Sequence, residues 1–271
     1  YDGKIDQVIN REIPFTKVRS LYVLPTTVGT GSEVTNVAIC EMIERKTKKG
    51  LADELIYPDK AVLIPELVKT LPYKFFATSS IDALIHSIES FVSPNATYYS
   101  RIFSKEAMTI ILGCYKKVVS GENWNKYAKD FLYASDLAGI AFNNAGCGAV
   151  HALSYPLGGT YHIPHGEANM LMFEAVFKKY REKDPSGKIN DLYLILSDVL
   201  GCDESSALDE MFKILDLILK RNPLNTYGVK KEELAVFAKS VVQNQGRLLA
   251  NNYTSLSEDE MLEIYESVFD K

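Results

Sequence analysis

The chain of 271 residues has the composition of a folded globular protein, with 46% hydrophobic and 24% charged residues. Such proportions exclude intrinsic disorder and fibrous repeats. At roughly 150 residues per domain, the length predicts two domains or one large one, with enough chain to bury a core without disulfides. The net charge of −5 comes without a Lys or Arg cluster, which argues against a protein that binds nucleic-acid backbones.

Nothing in the sequence indicates a membrane or secreted protein. The apolar stretches are far shorter than a membrane span, and no signal peptide opens the chain. Four widely spaced cysteines form no CxxC pair, so we expect reduced thiols rather than a disulfide framework. We therefore expect a cytoplasmic protein with no membrane and no nucleic-acid partner.

Residues 1–71 have the pattern of β-rich α/β structure. Apolar runs at 21–24, 34–43 and 61–64 are rich in β-branched residues and bounded by Gly and Pro, which predicts three strands. A turn of small residues, Gly29–Ser32, lies between the first two. Three strands are too few for a complete doubly wound sheet. The sequence therefore predicts a partial α/β domain over this stretch.

From Pro72 onward the apolar residues recur at helical spacing. Ile110, Ile111 and Cys114 lie on one such stripe. Ser257 and Glu260 form a capping box, which predicts the start of the last helix. We therefore predict an all-α domain over residues 72–271, so that the fold class is an α/β portion followed by a helical domain.

Histidine is scarce, and its distribution is the clearest chemical signal in the sequence. Three of the four histidines lie between residues 151 and 165, among glycines and prolines, and the fourth, His86, follows Asp82 by one helical turn. Three imidazoles and a carboxylate suit Fe²⁺ or Zn²⁺ better than Ca²⁺ or Mg²⁺. A single Asp-x-x-x-His pair is more often structural, and that alternative stays open at this point.

Three segments resemble the iron-dependent (group III) alcohol dehydrogenase family: Leu24–Thr35, Ser80–Glu89 and His151–Gly166. The resemblance implies the dehydroquinate synthase-like architecture, with residues 1–71 as the C-terminal part of a dinucleotide-binding domain. It also implies that Asp82, His86, His151 and His165 hold the metal. The expected cofactors are Fe²⁺, with Zn²⁺ as the alternative, and NAD or NADP. The expected partners are a small alcohol or aldehyde substrate and a second copy of the chain in a homodimer.

The same resemblance implies where the nicotinamide cofactor binds. The residues that match family positions contacting the cofactor are Thr26, Thr27, Thr35, Lys48, Leu67 and Leu71. The two leucines bound the segment expected against the adenosine. Simple turn chemistry after a strand is the alternative explanation for the two adjacent threonines.

The sequence departs from the family at a position expected to move protons. Many relatives carry a second histidine four residues after the one at His151, but here Tyr155 occupies that position. A phenol is a weaker acid–base group at neutral pH than an imidazole. We expect Tyr155 and His162 to be the catalytic residues, with Tyr161 or water as an alternative relay. The structural alternatives are aromatic packing for Tyr155 and a solvated loop histidine for His162.

A second departure concerns the beginning of the chain. The sequence opens at Tyr1 without a methionine, and the family's glycine-rich phosphate-binding turn is missing from residues 1–20. Such turns bind phosphate through backbone N–H groups at a helix N-terminus, and Gly29–Ser32 alone would not replace one. We expect a portion of a longer protein. The alternative is a chain that has lost independent dinucleotide binding.

The run from His151 to Asn169 is most similar to family members acting on 4-hydroxybutyrate, which implies its interconversion with succinate semialdehyde by hydride transfer. Arg247 is then a candidate contact for the substrate carboxylate, with an ordinary surface arginine as the structural alternative. Three alternatives remain: a neutral short-chain alcohol or diol as substrate, a metal-dependent hydrolase, and a non-catalytic interaction module.

Overall fold

The structure is a computed structural model that describes residues 5–42 and 47–270. Its N-terminal part contains helix α1 (Ile5–Ile9) and four strands: β1 (Tyr22–Val23), β2 (Val37–Met42), β3 (Thr47–Ala52) and β4 (Lys60–Ala61). Strands β1 and β4 pair in parallel, whereas β2 and β3 pair antiparallel, with Ile39 opposite Gly50. Two small sheets therefore form the α/β portion that the sequence predicts.

The predicted strands are shorter than expected, and one strand was missed. Only Tyr22 and Val23 of the first run and Ala61 of the third are paired as strands. The second run begins with the short 3₁₀ turn Ser32–Val34, so β2 starts later than predicted, and Ile43 lies outside the described residues. Strand β3 contains two lysines and a glycine, which have low β-propensity. Its pairing with β2, rather than its composition, makes it a strand.

The remaining described chain is helical. Its α-helices are α2 (Pro65–Val68), α3 (Tyr73–Val92), α4 (Tyr98–Val119), α5 (Ala128–Ala145), α6 (Ala149–Tyr161), α7 (His165–Lys183), α8 (Lys188–Leu200), α9 (Ala207–Ile218), α10 (Leu234–Asn244), α11 (Gly246–Leu249) and α12 (Glu258–Ser267). The predicted capping box is present, because the Ser257 hydroxyl accepts from the Glu260 N–H at 3.1 Å. The proposed domain boundary at 71/72 falls between α2 and α3 and stays a prediction.

Helix α3 lies at the centre of the helical part. From Phe76 to Val92 every residue except Ser79 is buried, and the helix packs against α4, α5 and α7. A helix that is apolar or small on all sides must be surrounded by other elements. The polar residues of α3 are thus placed inside the protein, where they need partners.

The two parts of the chain meet where a turn and a helix approach at backbone level. Gly31 has a left-handed backbone with φ of 57°, and a Cβ there would lie 2.5 Å from the Cα of Gly139 on α5. Two acidic residues lie beside this contact: the buried Glu33 in the 3₁₀ turn and the half-buried Asp136 on α5. Glycine at both positions therefore allows the N-terminal part to lie directly on the helical part.

No helix in the described part of the chain is long and apolar enough to cross a membrane.

Cys40, Cys114, Cys147 and Cys202 carry free thiols, as the sequence predicts.

Candidate metal centre and cleft

Helix α3 supplies the first two predicted metal ligands. Asp82 and His86 lie one turn apart and are 3% and 6% exposed, with 3.9 Å between Asp82 Oδ1 and His86 Nε2. The helical spacing thus places a carboxylate and an imidazole side by side in the interior, as predicted from the sequence.

Helices α6 and α7 bring two more imidazoles to the same carboxylate. The Nε2 atoms of His151 and His165 lie 3.6 and 3.8 Å from Asp82 Oδ1. His165 is the first residue of α7, directly after Pro164. Donors bound to one first-row ion at about 2.1 Å in a tetrahedral arrangement lie about 3.4 Å apart. The ligand atoms of Asp82, His151 and His165 lie within 4.8 Å of one another, and His86 belongs to a second such group that shares His151, so the four predicted ligands converge on one region.

Hydrogen bonds orient two of these imidazoles. His151 Nδ1 lies 2.5 Å from Glu89 Oε2, and His86 Nδ1 lies 3.3 Å from the carbonyl oxygen of Gly29. Both partners accept, so the Nδ1 atoms carry the protons and the Nε2 lone pairs face Asp82. His151 Nε2 is buried and lacks a hydrogen-bond partner among the described residues. An orphaned lone pair at this position fits a metal ligand.

Two of the four candidate ligands, Asp82 and His86, have the protonation states that a metal requires. Burial would raise the pKa of Asp82, but the three nearby imidazoles hold it well below its ordinary value. Burial lowers the pKa of His86 to about 4, against the opposing effect of Asp82. At neutral pH these two groups are a carboxylate and a neutral imidazole, which are the ligating forms. For His151, burial would lower the pKa, but Cys147, Asp82 and Glu89 raise it well above its ordinary value, so ligation requires this residue to give up a proton.

Two further polar side chains contact the cluster, and sequence reasoning missed both. The Asn169 amide donates to Asp82 Oδ1 at 2.7 Å and lies 3.3 Å from His165 Nε2. The Cys147 thiol forms a second donor group with His86 and His151, whose ligand atoms all lie within 4.8 Å of one another. Burial raises the pKa of Cys147, which makes it the weaker ligand. The position of Asn169, one turn after His165, was a signal available in the sequence.

A cavity of about 840 Å³ opens beside the cluster, within the size range of small-molecule sites. The helical part contributes all four candidate ligands together with Phe142, Asn143, Cys147, Tyr155, Arg247 and Leu248. The N-terminal part contributes the turn residues Thr30 and Ser32, the buried Thr35, and residues of β1, β2 and β3. The cavity is thus a cleft between the two parts.

The structure places the two predicted catalytic residues very differently. Tyr155 lines the cleft, is 3% exposed, and has its ring 6.1 Å from that of His165. His162 is exposed, has a left-handed backbone with φ of 54°, and is not among the described residues that line the cleft. Its catalytic role stays a prediction that gains no support from its position. The alternative relay, Tyr161, donates to Glu233 instead.

The predicted cofactor residues are only partly brought together. Thr35 lines the cleft. Thr26 and Thr27 lie in the preceding bend, where Thr26 is exposed and Thr27 is half-buried. Leu67 on α2 is 42% exposed, and Leu71 packs against the hydrophobic core. The backbone of Lys48 lies in β3, but its side chain lies outside the described part. These assignments remain predictions.

Comparison with known proteins identifies the class. A model described as the C-terminal part of the Fe-containing alcohol dehydrogenase family matches residues 76–269, and one described as iron-containing alcohol dehydrogenase matches residues 4–65. The chain belongs to the iron-containing alcohol dehydrogenase family. The resemblance stated from the sequence motifs is confirmed.

Two curated relatives show how the chain compares in sequence with individual members of the family. The chain is 52% identical over 272 aligned residues to 4-hydroxybutyrate dehydrogenase of Clostridium kluyveri, covering 99% of this chain and 72% of that protein. It is 32% identical to long-chain-alcohol dehydrogenase 1 of Geobacillus thermodenitrificans, covering 99% of this chain and 69% of that one.

Solved structures confirm the fold class. An iron-containing alcohol dehydrogenase of Thermotoga maritima superposes with a TM-score of 0.78 at 27% identity, covering 99% of this chain and 68% of that one. A 1,3-propanediol oxidoreductase gives a TM-score of 0.82 at 27% identity, covering 94% and 68%. The chain thus spans about two thirds of the length of these structures.

Proposed function

We propose that this chain is the metal-binding, catalytic part of an enzyme that interconverts 4-hydroxybutyrate and succinate semialdehyde with NAD or NADP. The observation that carries the proposal is the convergence of Asp82, His86, His151 and His165 on one wall of a cleft. The 52% identity to a 4-hydroxybutyrate dehydrogenase supports the choice of substrate.

The reaction balances as a hydride transfer. In the direction of reduction, C4 of the nicotinamide gives a hydride to the carbonyl carbon, and the carbonyl oxygen takes a proton. The four ligand candidates would hold a divalent ion, which supplies Lewis-acid polarisation of the carbonyl when bound. Glu89 and the Gly29 carbonyl keep the two imidazoles in the required tautomer.

Tyr155 is the proposed proton donor. It lies one turn after His151 on α6 and lines the cleft. Burial raises its pKa, opposed by the charges of His151 and Arg247, so the phenol stays protonated at neutral pH. It then hydrogen-bonds the carbonyl oxygen and delivers a proton as the hydride arrives, with water restoring the phenol.

The finer cofactor assignments rest on chemistry and relatives. We propose Fe²⁺ because of the family, and Zn²⁺ fits the same donors. Relatives include a methanol dehydrogenase of Bacillus methanolicus described as NAD-dependent and a butanol dehydrogenase of Clostridium saccharobutylicum described as NADPH-dependent. Both nucleotides are therefore to be tested.

The decisive experiment is anaerobic oxidation of NADH and NADPH with succinate semialdehyde, using the 271-residue chain loaded with Fe²⁺ or Zn²⁺. We expect turnover that falls by at least about a thousandfold in His151→Ala, together with loss of the bound ion. Metal content is measured in both proteins. Turnover that persists in His151→Ala without bound metal would contradict the proposal.

Four further parts of the proposal can be tested beside it. Replacing succinate semialdehyde by butanal separates an acidic substrate from a neutral one, which is the alternative within the family. Normal turnover in His162→Asn would place that histidine outside the chemistry, since asparagine tolerates the left-handed backbone. Sedimentation of the chain tests the proposed homodimer, and fractionation of the source cells tests the proposed cytoplasmic location.

A further inference from the structure

An arginine side chain lies in the cleft without a described acidic partner. Arg101 and Arg221 are paired with carboxylates, whereas Arg247 makes no ion pair with any acidic side chain that the structure describes. Arg247 lies on the short helix α11 and lines the same cleft as the candidate metal ligands. A cation in a substrate cleft without a counter-ion among the described side chains is suited to an anionic group of a ligand.

Strand β3 leaves room for this guanidinium. A Cβ at Gly50 would lie 2.9 Å from Arg247 Nη2 and 3.0 Å from Ile39 Cδ1, which is closer than side chains pack. Gly50 is opposite Ile39 in the β2–β3 pair. The missing side chain in β3 therefore lets the guanidinium lie directly on the strand, beside an apolar side chain.

The guanidinium shares its cavity with the proposed catalytic groups. Tyr155, one turn after His151 on α6, lines the same cavity as Arg247. Ile39 and Leu248 add apolar surface to the same cavity. A cavity that combines candidate metal ligands, apolar side chains and a cation suits a short chain with an oxygen function at one end and a carboxylate at the other.

We propose that Arg247, lying on Gly50, binds the distal carboxylate of the substrate and selects short ω-carboxylate alcohols and aldehydes over neutral ones. The proposal rests on the proposed function and adds the residues that determine specificity. The planar guanidinium matches a carboxylate with two parallel hydrogen bonds, which a lysine ammonium cannot reproduce. A phosphate of the dinucleotide is the competing anion, and the test separates the two.

The test measures binding to the metal-loaded chain by calorimetry, with 4-hydroxybutyrate and 1,4-butanediol as a pair of equal length that differ in the carboxylate. We expect Arg247→Met to weaken 4-hydroxybutyrate binding by about 10- to 100-fold and to change butanediol binding less than about twofold. The affinity of Arg247→Lys for 4-hydroxybutyrate should lie between that of the wild type and that of Arg247→Met. The control is Arg181→Met, because Arg181 lies over the Tyr193 ring and not in the cleft.

A second variant tests the position of the guanidinium and not its charge. Gly50→Ala forces Arg247 Nη2 and Ile39 Cδ1 aside, and both are ends of flexible side chains, so the strand itself remains. Alanine is also no worse than glycine in a strand. We expect 4-hydroxybutyrate binding to weaken while the thermal midpoint of unfolding stays the same or rises.

Three results would overturn the proposal: equal losses for both ligands in Arg247→Met, no loss for 4-hydroxybutyrate, or a wild-type chain that does not prefer it over butanediol. A loss confined to NADH binding would assign the guanidinium to the dinucleotide phosphates and also overturn it. The proposed function fails separately. A chain that binds 4-hydroxybutyrate through Arg247 but oxidises no nicotinamide cofactor would keep this inference and exclude the enzyme activity of the chain.

Discussion

The helical wall of the cleft holds Asp82, His86 and His151 in buried, oriented positions, although its Arg247 is exposed. The N-terminal wall consists of a turn, short strands and partly exposed side chains. On the helical wall, Asp82 and His151 are each 3% exposed, and Glu89 is 2% exposed. In the N-terminal part, Leu21, Tyr22 and Leu24 are 42%, 56% and 44% exposed. The helical wall holds its candidate ligands in fixed positions, whereas many side chains of the N-terminal wall are only partly packed against other residues.

The difference fits the ligands that we propose for the two walls, a metal ion for the helical one and a dinucleotide for the N-terminal one. A metal ion needs several side-chain donors within a few tenths of an ångström, so each donor must be held by packing and hydrogen bonds. A dinucleotide is bound mainly through backbone N–H groups and apolar contacts. Substitutions at the contact between the walls and beside the candidate ligands should therefore change the free energy of unfolding or the metal affinity, and we order them from the largest expected change to the smallest.

Replacing Gly139 by alanine should separate the walls. The added Cβ would lie 2.8 Å from the Cα of Gly31 and 2.9 Å from its carbonyl oxygen. These are backbone atoms that cannot move aside, so we expect Gly139→Ala to destabilise the chain by about 3 kcal/mol, measured by urea unfolding. The control is Gly113→Ala on α4, where no atom lies within 4 Å of the new Cβ.

Measuring the metal affinity of Gly139→Ala shows whether the helical wall depends on its contact with the N-terminal wall. If the helical wall is independent of the N-terminal one, Gly139→Ala binds the ion normally below its unfolding transition. A parallel loss of metal affinity would show that the N-terminal turn, through the Gly29 carbonyl at His86, is part of the metal centre.

The buried acid at the joint should make stability depend on pH. Burial raises the pKa of Glu33 from 4.5 to about 7, with a smaller contribution from Asp136. Between these values the folded chain keeps a proton that the unfolded chain has released. The free energy of unfolding should therefore fall as the pH rises across this window, and Glu33 should contribute about 2 to 3 kcal/mol to the fall.

Glu33→Gln removes this contribution, because the amide does not titrate. We expect the wild type to lose stability relative to the variant between pH 4.5 and 7.5, measured by denaturant unfolding at each pH. The exposed Glu66→Gln variant on α2 should run parallel to the wild type. A difference between the wild type and Glu33→Gln that stays constant over this range would show that Glu33 is already ionised in the folded chain.

The helical wall could be predicted from the sequence because its signals are local or compositional. Asp82 and His86 are one helical turn apart, so a helix over this segment places them together without further information. His151 and His165 were identified as ligands by family motifs, and the structure brings them to Asp82 through the packing of α6 and α7 on α3. Tyr155 follows from the same helical spacing on α6.

The N-terminal wall could not be predicted to the same extent because pairing determines it. Strand β3 has low β-propensity and exists through its partner β2. Gly50 and Arg247 are far apart in sequence, and no local pattern indicates that one makes room for the other. Thr30 and Ser32 line the cleft, but the sequence showed only a small-residue turn. Glu89 was overlooked although it lies near His86 on α3, because its partner is on α6.

The last prediction concerns how the helical wall keeps His151 in place. Both carboxylate oxygens of Glu89 are used: Oε1 accepts from the Val150 N–H at 2.8 Å, and Oε2 pairs with His151 Nδ1 at 2.5 Å. Glu89→Gln replaces one acceptor by an NH₂ group, which faces either the backbone N–H or the protonated Nδ1. The imidazole then favours a proton on Nε2, the atom aimed at the metal.

We expect Glu89→Gln to bind Zn²⁺ about 10- to 100-fold more weakly, measured by competition with a chelator, while the chain stays folded. Glu66→Gln, with an exposed carboxylate, is the matched control. If metal affinity is unchanged in Glu89→Gln, the ring orientation of His151 is fixed by packing against His86, whose ring lies stacked at 4.7 Å. In that case packing and not hydrogen bonding would hold this ligand in place, and the contrast between the two walls would rest on burial alone.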